Sequence, residues 1–254
     1  MENLLAAERR KIILEKLQND KKVIVSQLSA FFSVSDETIR RDIDKLCQEG
    51  FASKSYGGAI LNENAVDMPF NIRKTQNQSE KKIIAEHIEK LVKDGESIML
   101  DASTTAVFVA RALKSKSRLT VLTNSIEVML ELSDKPEWTI IAAGGHLIGD
   151  YLAFTGQRTI KEISTFRADK LIFSCKGIDS EGIFDSNDDF AQVKQAMLKS
   201  AKTKILAVDS SKFDSTAFYK ITDFADVDIL ITDTCPADTW VELLRESRVE
   251  LIEN

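Results

Sequence analysis

At 254 residues, with 43% hydrophobic and 29% charged residues and only three Pro, the chain has the composition of a folded protein with room for two cores, which excludes a disordered or low-complexity one. No apolar run of about 18 residues occurs and none follows the charged stretch Met1–Lys11, so neither a membrane span nor a signal peptide is expected, and the expected compartment is the cytoplasm. Cys47, Cys175 and Cys235 are far apart and odd in number, which argues against a disulfide framework, and with only His87 and His146 a zinc site is not expected either.

The net charge of −6 is unevenly spread: residues 1–61 hold ten Lys/Arg against nine Asp/Glu, and the remainder 24 against 31. An acidic body repels nucleic acid, so any DNA binding has to be local to the N-terminal part.

From Ala6 to Leu17, the residues Ile13, Leu14 and Leu17 recur at helical spacing among charges and predict a first helix ending near Asn19 and Asp20. A short β-branched stretch, Val23–Val25, follows. Ser26 is placed to cap a second short helix carrying Leu28, Phe31 and Phe32, and Ser35, after Ser33-Val34, to cap a third. In that third helix Ile39, Ile43 and Leu46 stand at i, i+4 and i+7, so one face buries while Glu37, Arg41 and Lys45 turn outward, with Gly50 as the stop. Phe51–Leu61 reads as two short strands around Tyr56-Gly57-Gly58, a hairpin.

Residues 62–78, polar and irregular with Pro69 among them, read as a linker between a domain spanning 1–61 and one spanning 79–254. Ser79 is placed to cap the next helix, which runs to about Lys93. The apolar runs Ser97–Leu100, Leu119–Leu122, Thr139–Ala142, Lys170–Ser174, Ile205–Val208 and Ile229–Ile231 are each followed by polar loops and mostly by helical patterns. That alternation predicts an α/β domain with a mainly parallel sheet.

A short helix, a turn and a capped basic helix followed by a Gly-Gly hairpin is the order of a winged helix-turn-helix. Ser35 and Thr38 can bond phosphate oxygens beside the helix N-terminus, Glu37 can accept from cytosine N4, and Arg40 and Arg41 can clamp guanine or phosphate, with Lys45 on the same helix and Lys54 and Tyr56 on the wing. The competing reading is a solvated face on which Arg40, Arg41 and Lys45 pair with Glu37, Asp42 or Glu49. The order of the elements favours DNA.

In the larger part, Asp101-Ala102-Ser103-Thr104-Thr105 follows a predicted strand and opens a helix, where backbone N–H groups and three hydroxyls converge as a phosphate requires. Thr123-Asn124-Ser125, Gly144-Gly145, Gly177 and Asp209–Lys212 supply further loops at strand ends or turns, the usual ligand edge of an α/β sheet, and Lys212 adds a cation. Each motif alone is accounted for by caps and turns; several in one domain favour a phosphorylated small ligand. Neither G-x-x-x-x-G-K-[ST] nor G-x-G-x-x-G occurs, and no cofactor or metal is expected.

The run from Arg9 through Ile13 and Leu17 to Ser35-Asp36-Glu37-Thr38-Ile39-Arg40-Arg41-Asp42-Ile43, together with Lys54-Ser55-Tyr56-Gly57-Gly58-Ala59, resembles the DeoR family of regulators. The resemblance continues through Asp101–Thr105, Leu122–Ser125, Gly144-Gly145, Gly156, Gly177–Asp179, Gln192–Lys194 with Met197, and Asp209–Phe213. Ser103 stands where the family usually has Gly, and Phe190 and Gln192 stand where acidic residues are common. The resemblance implies a winged helix-turn-helix that binds operator DNA as a homo-oligomer, a dimer or tetramer. It also implies a C-terminal domain similar in fold to ribose-5-phosphate isomerase that binds a phosphorylated sugar, and so a repressor of carbohydrate-metabolism genes. Two other readings accompany it: an isomerase-like enzyme using Asp101, Asp179 or Asp185 as base, and an oligomerisation scaffold without a ligand.

Overall fold

The computed structural model describes residues 5–48, 51–61 and 70–254, and the chain divides into two compact units between residues 69 and 70. The first contains α1 (Ala6–Asp20), β1 (Lys22–Ile24), α2 (Val25–Phe32), α3 (Asp36–Gln48), β2 (Ala52–Ser55) and β3 (Gly58–Leu61), with β1 and β2 both antiparallel to β3. Ile13, Leu17, Leu28, Phe32, Ile39, Ile43 and Leu46, all read from the sequence, are buried, whereas Leu14 is half-buried and Phe31 is exposed.

Ser33, in the left-handed region at φ 54°, ends α2; its N–H and that of Val34 return to the carbonyls of Ala30 and Ser29 at 3.4 and 3.1 Å, so the chain turns sharply into α3. Ser35 caps α3 as expected, its Oγ accepting the Thr38 N–H at 3.2 Å. Ser26 does not cap α2, which starts one residue earlier from extended Ile24; the Val25 N–H is taken by the Gly57 carbonyl of the hairpin at 2.9 Å. The expected stop at Gly50 lies outside the described residues. Gly57 supplies the positive φ of the turn, 74°, and Gly58 supplies clearance, since a Cβ there would stand 1.9 Å from the Val23 carbonyl oxygen.

One buried ion pair ties the first helix to the third. Arg9 Nε donates to Asp42 Oδ2 at 2.5 Å and Arg10 approaches the other carboxylate oxygen at 3.5 Å, with Asp42 only 3% exposed.

The second unit begins with α4 (Phe70–Arg73) and α5 (Gln78–Leu91), then β4 (Ser97–Leu100), α6 (Thr104–Ala112), β5 (Thr120–Thr123), α7 (Ile126–Leu132), β6 (Thr139–Ala142), β7 (His146–Ile148), β8 (Ala153–Thr155) and α8 (Gln157–Ile163). It continues with β9 (Ala168–Phe173), β10 (Gly177–Asp179), β11 (Gly182–Asp185), α9 (Asp188–Lys199), β12 (Ala201–Ala207), β13 (Tyr219–Thr222), β14 (Ile229–Ile231), α10 (Asp238–Glu246) and β15 (Glu250–Ile252).

The main sheet has seven strands in the order β15-β14-β12-β9-β4-β5-β6, every neighbouring pair parallel. Six of them fall on the apolar runs picked out above. Alternation splits each strand between two cores: Ile98, Leu100, Ile172 and Ile205 pack with Ile84 and Ile88 of α5, Val107 of α6 and Val128 of α7, while Met99, Leu171, Phe173 and Leu206 pack with Ile163 of α8, Val193 and Met197 of α9 and Trp240 of α10. Two small antiparallel sheets, β10-β11-β13 and β7-β8, are additions.

Residues 70–78, expected to be linker, are folded: Phe70 is 1% exposed at the head of α4, and α5 already begins at Gln78. Ser79 does not cap α5. The cap position is Asn77 at φ 46°, whose carbonyl accepts the Lys81 N–H, and Ser79 Oγ donates to Glu80 instead. Among the described residues no helix is long and apolar enough to cross a membrane.

Candidate functional site

On the first unit, the face of α3 opposite the buried stripe carries Glu37, Arg40, Arg41 and Lys45, all exposed, with exposed Ser35 and half-buried Thr38 at its head, their hydroxyls 2.9 Å apart. Arg41 Nε stands 3.4 Å from Glu37 Oε1, with the two side chains 79% and 63% exposed, a loose pair that costs little to open. Lys54 Nζ bonds Asp44 Oδ1 at 2.7 Å, which joins the hairpin to α3 and holds the ammonium above its ordinary pKa. Tyr56, at the hairpin tip, is fully exposed. Asp42 is not a surface partner of these cations; it belongs to the buried pair with Arg9, so this part of the solvated-face reading is corrected.

On the second unit the predicted loops follow the C-terminal ends of β4, β5, β6, β9 and β12, as a parallel sheet dictates. Asp101 is 1% exposed and does not face outward: Oδ1 accepts from the Ser103 N–H at 3.1 Å and the Ser103 hydroxyl at 2.6 Å, and Oδ2 accepts from the Ser174 N–H at 3.1 Å. Ser103 in turn caps α6, accepting the Ala106 N–H at 3.0 Å. Thr104 and Thr105, 5% and 3% exposed in the first turn, have hydroxyls that enter no hydrogen bond among the described residues.

Thr123 and Ser125 hold their own loop: Thr123 Oγ1 accepts the Ser125 N–H at 3.1 Å and Ser125 Oγ accepts the Val128 N–H at 3.3 Å, both residues being fully buried. Asn124, 1% exposed, donates to the Phe154 carbonyl at 2.8 Å, while its Oδ1 is buried without a partner. Gly144 bonds Glu162 and Thr159 through its backbone, a Cβ at Gly145 would stand 2.1 Å from Thr159 Oγ1, and one at Gly177 would stand 2.1 Å from the Ser215 carbonyl oxygen. Packing therefore accounts for Gly145 and Gly177, whereas a Cβ at Gly144 would stand in open space. Lys212 is half-buried at the end of a 3-10 turn over Ser210–Lys212, opened by Asp209.

Three groups that sequence reasoning left out of the site complete this corner. Lys194, on the inner face of α9 and 8% exposed, bonds Asp185 Oδ2 at 2.5 Å and lies 3.5 Å from Asp101 Oδ2. Burial pushes its pKa down, but the two carboxylates outweigh burial and hold it above the ordinary lysine value. Lys81, 4% exposed, donates to the carbonyls of Arg73 and Gln76 at 2.8 and 2.6 Å; burial pushes it down to about 8, opposed by Asp209 and assisted by Lys212 and Arg73. Asn77 reaches Asp209 Oδ1 at 2.9 Å and Ser211 Oγ at 3.2 Å, so the segment between α4 and α5 is bonded to the loop after β12. No local motif announces these contacts, because the partners lie far apart in sequence. Burial pushes the thiol of Cys175, near Lys194 and Lys212, up to about 12.

Residues 9–65 match the DeoR-like helix-turn-helix domain and residues 76–234 the DeoR C terminal sensor domain. A DNA-binding head followed by a sensor domain defines a ligand-responsive class of transcription regulator. The chain belongs to the DeoR family.

It is 39% identical to the uncharacterized HTH-type transcriptional regulator YulB of Bacillus subtilis over 98% of this chain and 96% of that one. It is 32% identical to the glycerol-3-phosphate regulon repressor of Escherichia coli (96% and 97%) and 33% identical to the HTH-type transcriptional repressor GlcR of Bacillus subtilis (96% and 95%). Among solved structures, ribose 5-phosphate isomerase A of Methanocaldococcus jannaschii is similar over 54% of this chain and 55% of that one, with a TM-score of 0.40 and 18% identity.

Proposed function

We propose that the protein is a repressor that grips operator DNA with α3 and the β2–β3 wing, and that a phosphorylated sugar or polyol bound beside the N-terminus of α6 changes that grip. The observation that carries the reading is the first turn of α6: two buried threonines with unspent hydroxyls at a helix N-terminus, with Lys212 on the loop after β12, at the same edge of the sheet and separated from β4 by β9 alone. The names of relatives support the ligand class, one being the repressor of a glycerol-3-phosphate regulon. The protein acts as a homo-oligomer, a dimer or tetramer, that sets two copies of α3 on half-sites about 34–36 Å apart. It catalyses no reaction: of the three aspartates considered as bases, Asp101 and Asp185 are paired with Lys194, and Asp179 is spent on the Glu181 N–H in a turn.

For the ligand to act, it has to bind the DNA-bound and DNA-free arrangements with different affinity. The test is operator affinity at fixed salt, titrated with sugar phosphates and their unphosphorylated parents. A change seen only with phosphorylated compounds, and lost in Lys212→Ala, supports the reading; specific DNA binding that no compound alters would leave a scaffold. Arg41→Ala weakens operator binding by roughly 1–3 kcal/mol, with no shift in melting temperature because the side chain is 79% exposed. Gel-shift titration beside a thermal melt checks both halves, and unchanged affinity removes Arg41 from the interface.

A further inference from the structure

Asn124 Oδ1 and Tyr151 Oη are buried in the second unit without a hydrogen-bond partner. A buried polar atom left unpaired is costly, and folded proteins leave few of them. The segments that carry them are paired: Phe154 N–H donates to the Asn124 carbonyl at 2.9 Å, Ile126 N–H to that of Leu152 at 2.9 Å, and Ser125 bridges Ala153.

The Tyr151 ring is held from two sides, by Phe190 at 4.3 Å between centroids and by the Arg73 guanidinium at 4.7 Å from the ring centre. Phe190 also packs with Ala102 and Ala153, so the phenol is fixed beside the loop that leads from β4 into α6. Nothing in this arrangement uses the hydroxyl that it immobilises.

We infer that Asn124 Oδ1 and Tyr151 Oη form the hydroxyl-reading end of the ligand site, with the phosphate at the first turn of α6. The inference rests on the phosphate reading above and narrows it. An amide oxygen accepts only, so it requires an O–H donor from the ligand, and the phenol can then donate to or accept from the same or a neighbouring hydroxyl. A phosphorylated polyol or sugar satisfies both atoms. A phosphorylated carboxylic acid without a hydroxyl presents only acceptors to Asn124 and is rejected. Tyr151 is thus a specificity-determining residue, and Phe190 and Arg73 position it.

The experiment is calorimetric titration of the full-length protein and its Tyr151→Phe variant with inorganic phosphate, glycerol 3-phosphate, fructose 1-phosphate and 2-phosphoglycolate. The expected result is that the wild type binds at least one of the two hydroxyl-bearing esters roughly ten-fold or more tighter than it binds 2-phosphoglycolate, which has a carboxylate and no hydroxyl, because a site built to bond a hydroxyl discriminates against ligands lacking it. Tyr151→Phe loses that preference, keeps the affinity for inorganic phosphate, and melts in the ligand-free state no lower than the wild type, since only an unsatisfied hydroxyl has been removed. A hydroxyl with a structural role would lower the melting temperature and leave the preference intact, which overturns the inference. Equal binding of the esters and the acid by the wild type overturns it as well, with the phosphate reading standing. Failure of the wild type to bind any of the four compounds overturns both.

Discussion

Lys194→Met is expected to destabilise the second unit by roughly 3–5 kcal/mol, because it strips the cation from two carboxylates that stay buried. Asp101 and Asp185 are 1% and 6% exposed, so neither can recover the lost interaction from water. The damage spreads beyond the pair: Asp101 also fixes Ser103, the cap of α6, and the Ser174 backbone after β9. The double substitution Asp185→Asn with Lys194→Met restores part of the loss by removing one stranded charge.

The pH dependence has two limbs with opposite signs. Lys194 titrates above the ordinary lysine value, so its contribution is complete below that value and is lost as pH rises through the raised one. Lys81 titrates at about 8, below its unfolded value, so between about 8 and the ordinary lysine value the unfolded chain binds more protons and stability rises. Urea unfolding read by tryptophan fluorescence follows this unit alone, since the protein has two Trp and both, Trp138 and Trp240, lie in it. A Lys194→Met variant as stable as the wild type at neutral pH would show that the pair contributes nothing net.

Asp42→Ala is expected to cost the first unit roughly 3–5 kcal/mol by removing the buried carboxylate that Arg9 Nε meets, against a stability that is small for a domain of this size. Operator binding is lost by unfolding, which separates this variant from Arg41→Ala, where the head stays folded. The tryptophan signal and ligand affinity remain those of the wild type, while circular dichroism reports the lost helix. Asp42→Asn, which keeps an acceptor opposite Arg9 Nε, falls between the two. Retained operator affinity and an unchanged melt in Asp42→Ala would remove the clamp from the stability of the head.

What was legible in the sequence was what periodicity records. Ile39, Ile43 and Leu46 define the inner face of α3, and six apolar runs mark six of the seven main strands. The small β10-β11-β13 sheet was not visible, because its strands are three or four residues long and begin at Gly177 and Gly182, so no alternation is long enough to register. Ser26 and Ser79 are good capping residues at plausible positions, yet the Gly57 carbonyl and the left-handed Asn77 settled those helix starts by tertiary contact. The linker reading of residues 70–78 failed because one buried aromatic, Phe70, anchors an otherwise polar stretch. Asp42 and Lys194 look like solvent-facing charges in sequence; only the pairing of distant elements makes them interior ions.

The two faces of α3 also bear on how such a protein diverges. Its inner stripe and Asp42 are committed to the fold, and Gly58 of the adjoining hairpin tolerates no side chain. Glu37, Arg40, Arg41 and Lys45 meet solvent, and changing them leaves those packing commitments untouched. On the proposed reading of α3, a duplicated copy of this gene can therefore drift to a new operator by exchanging a few outward residues, each step passing through a folded intermediate.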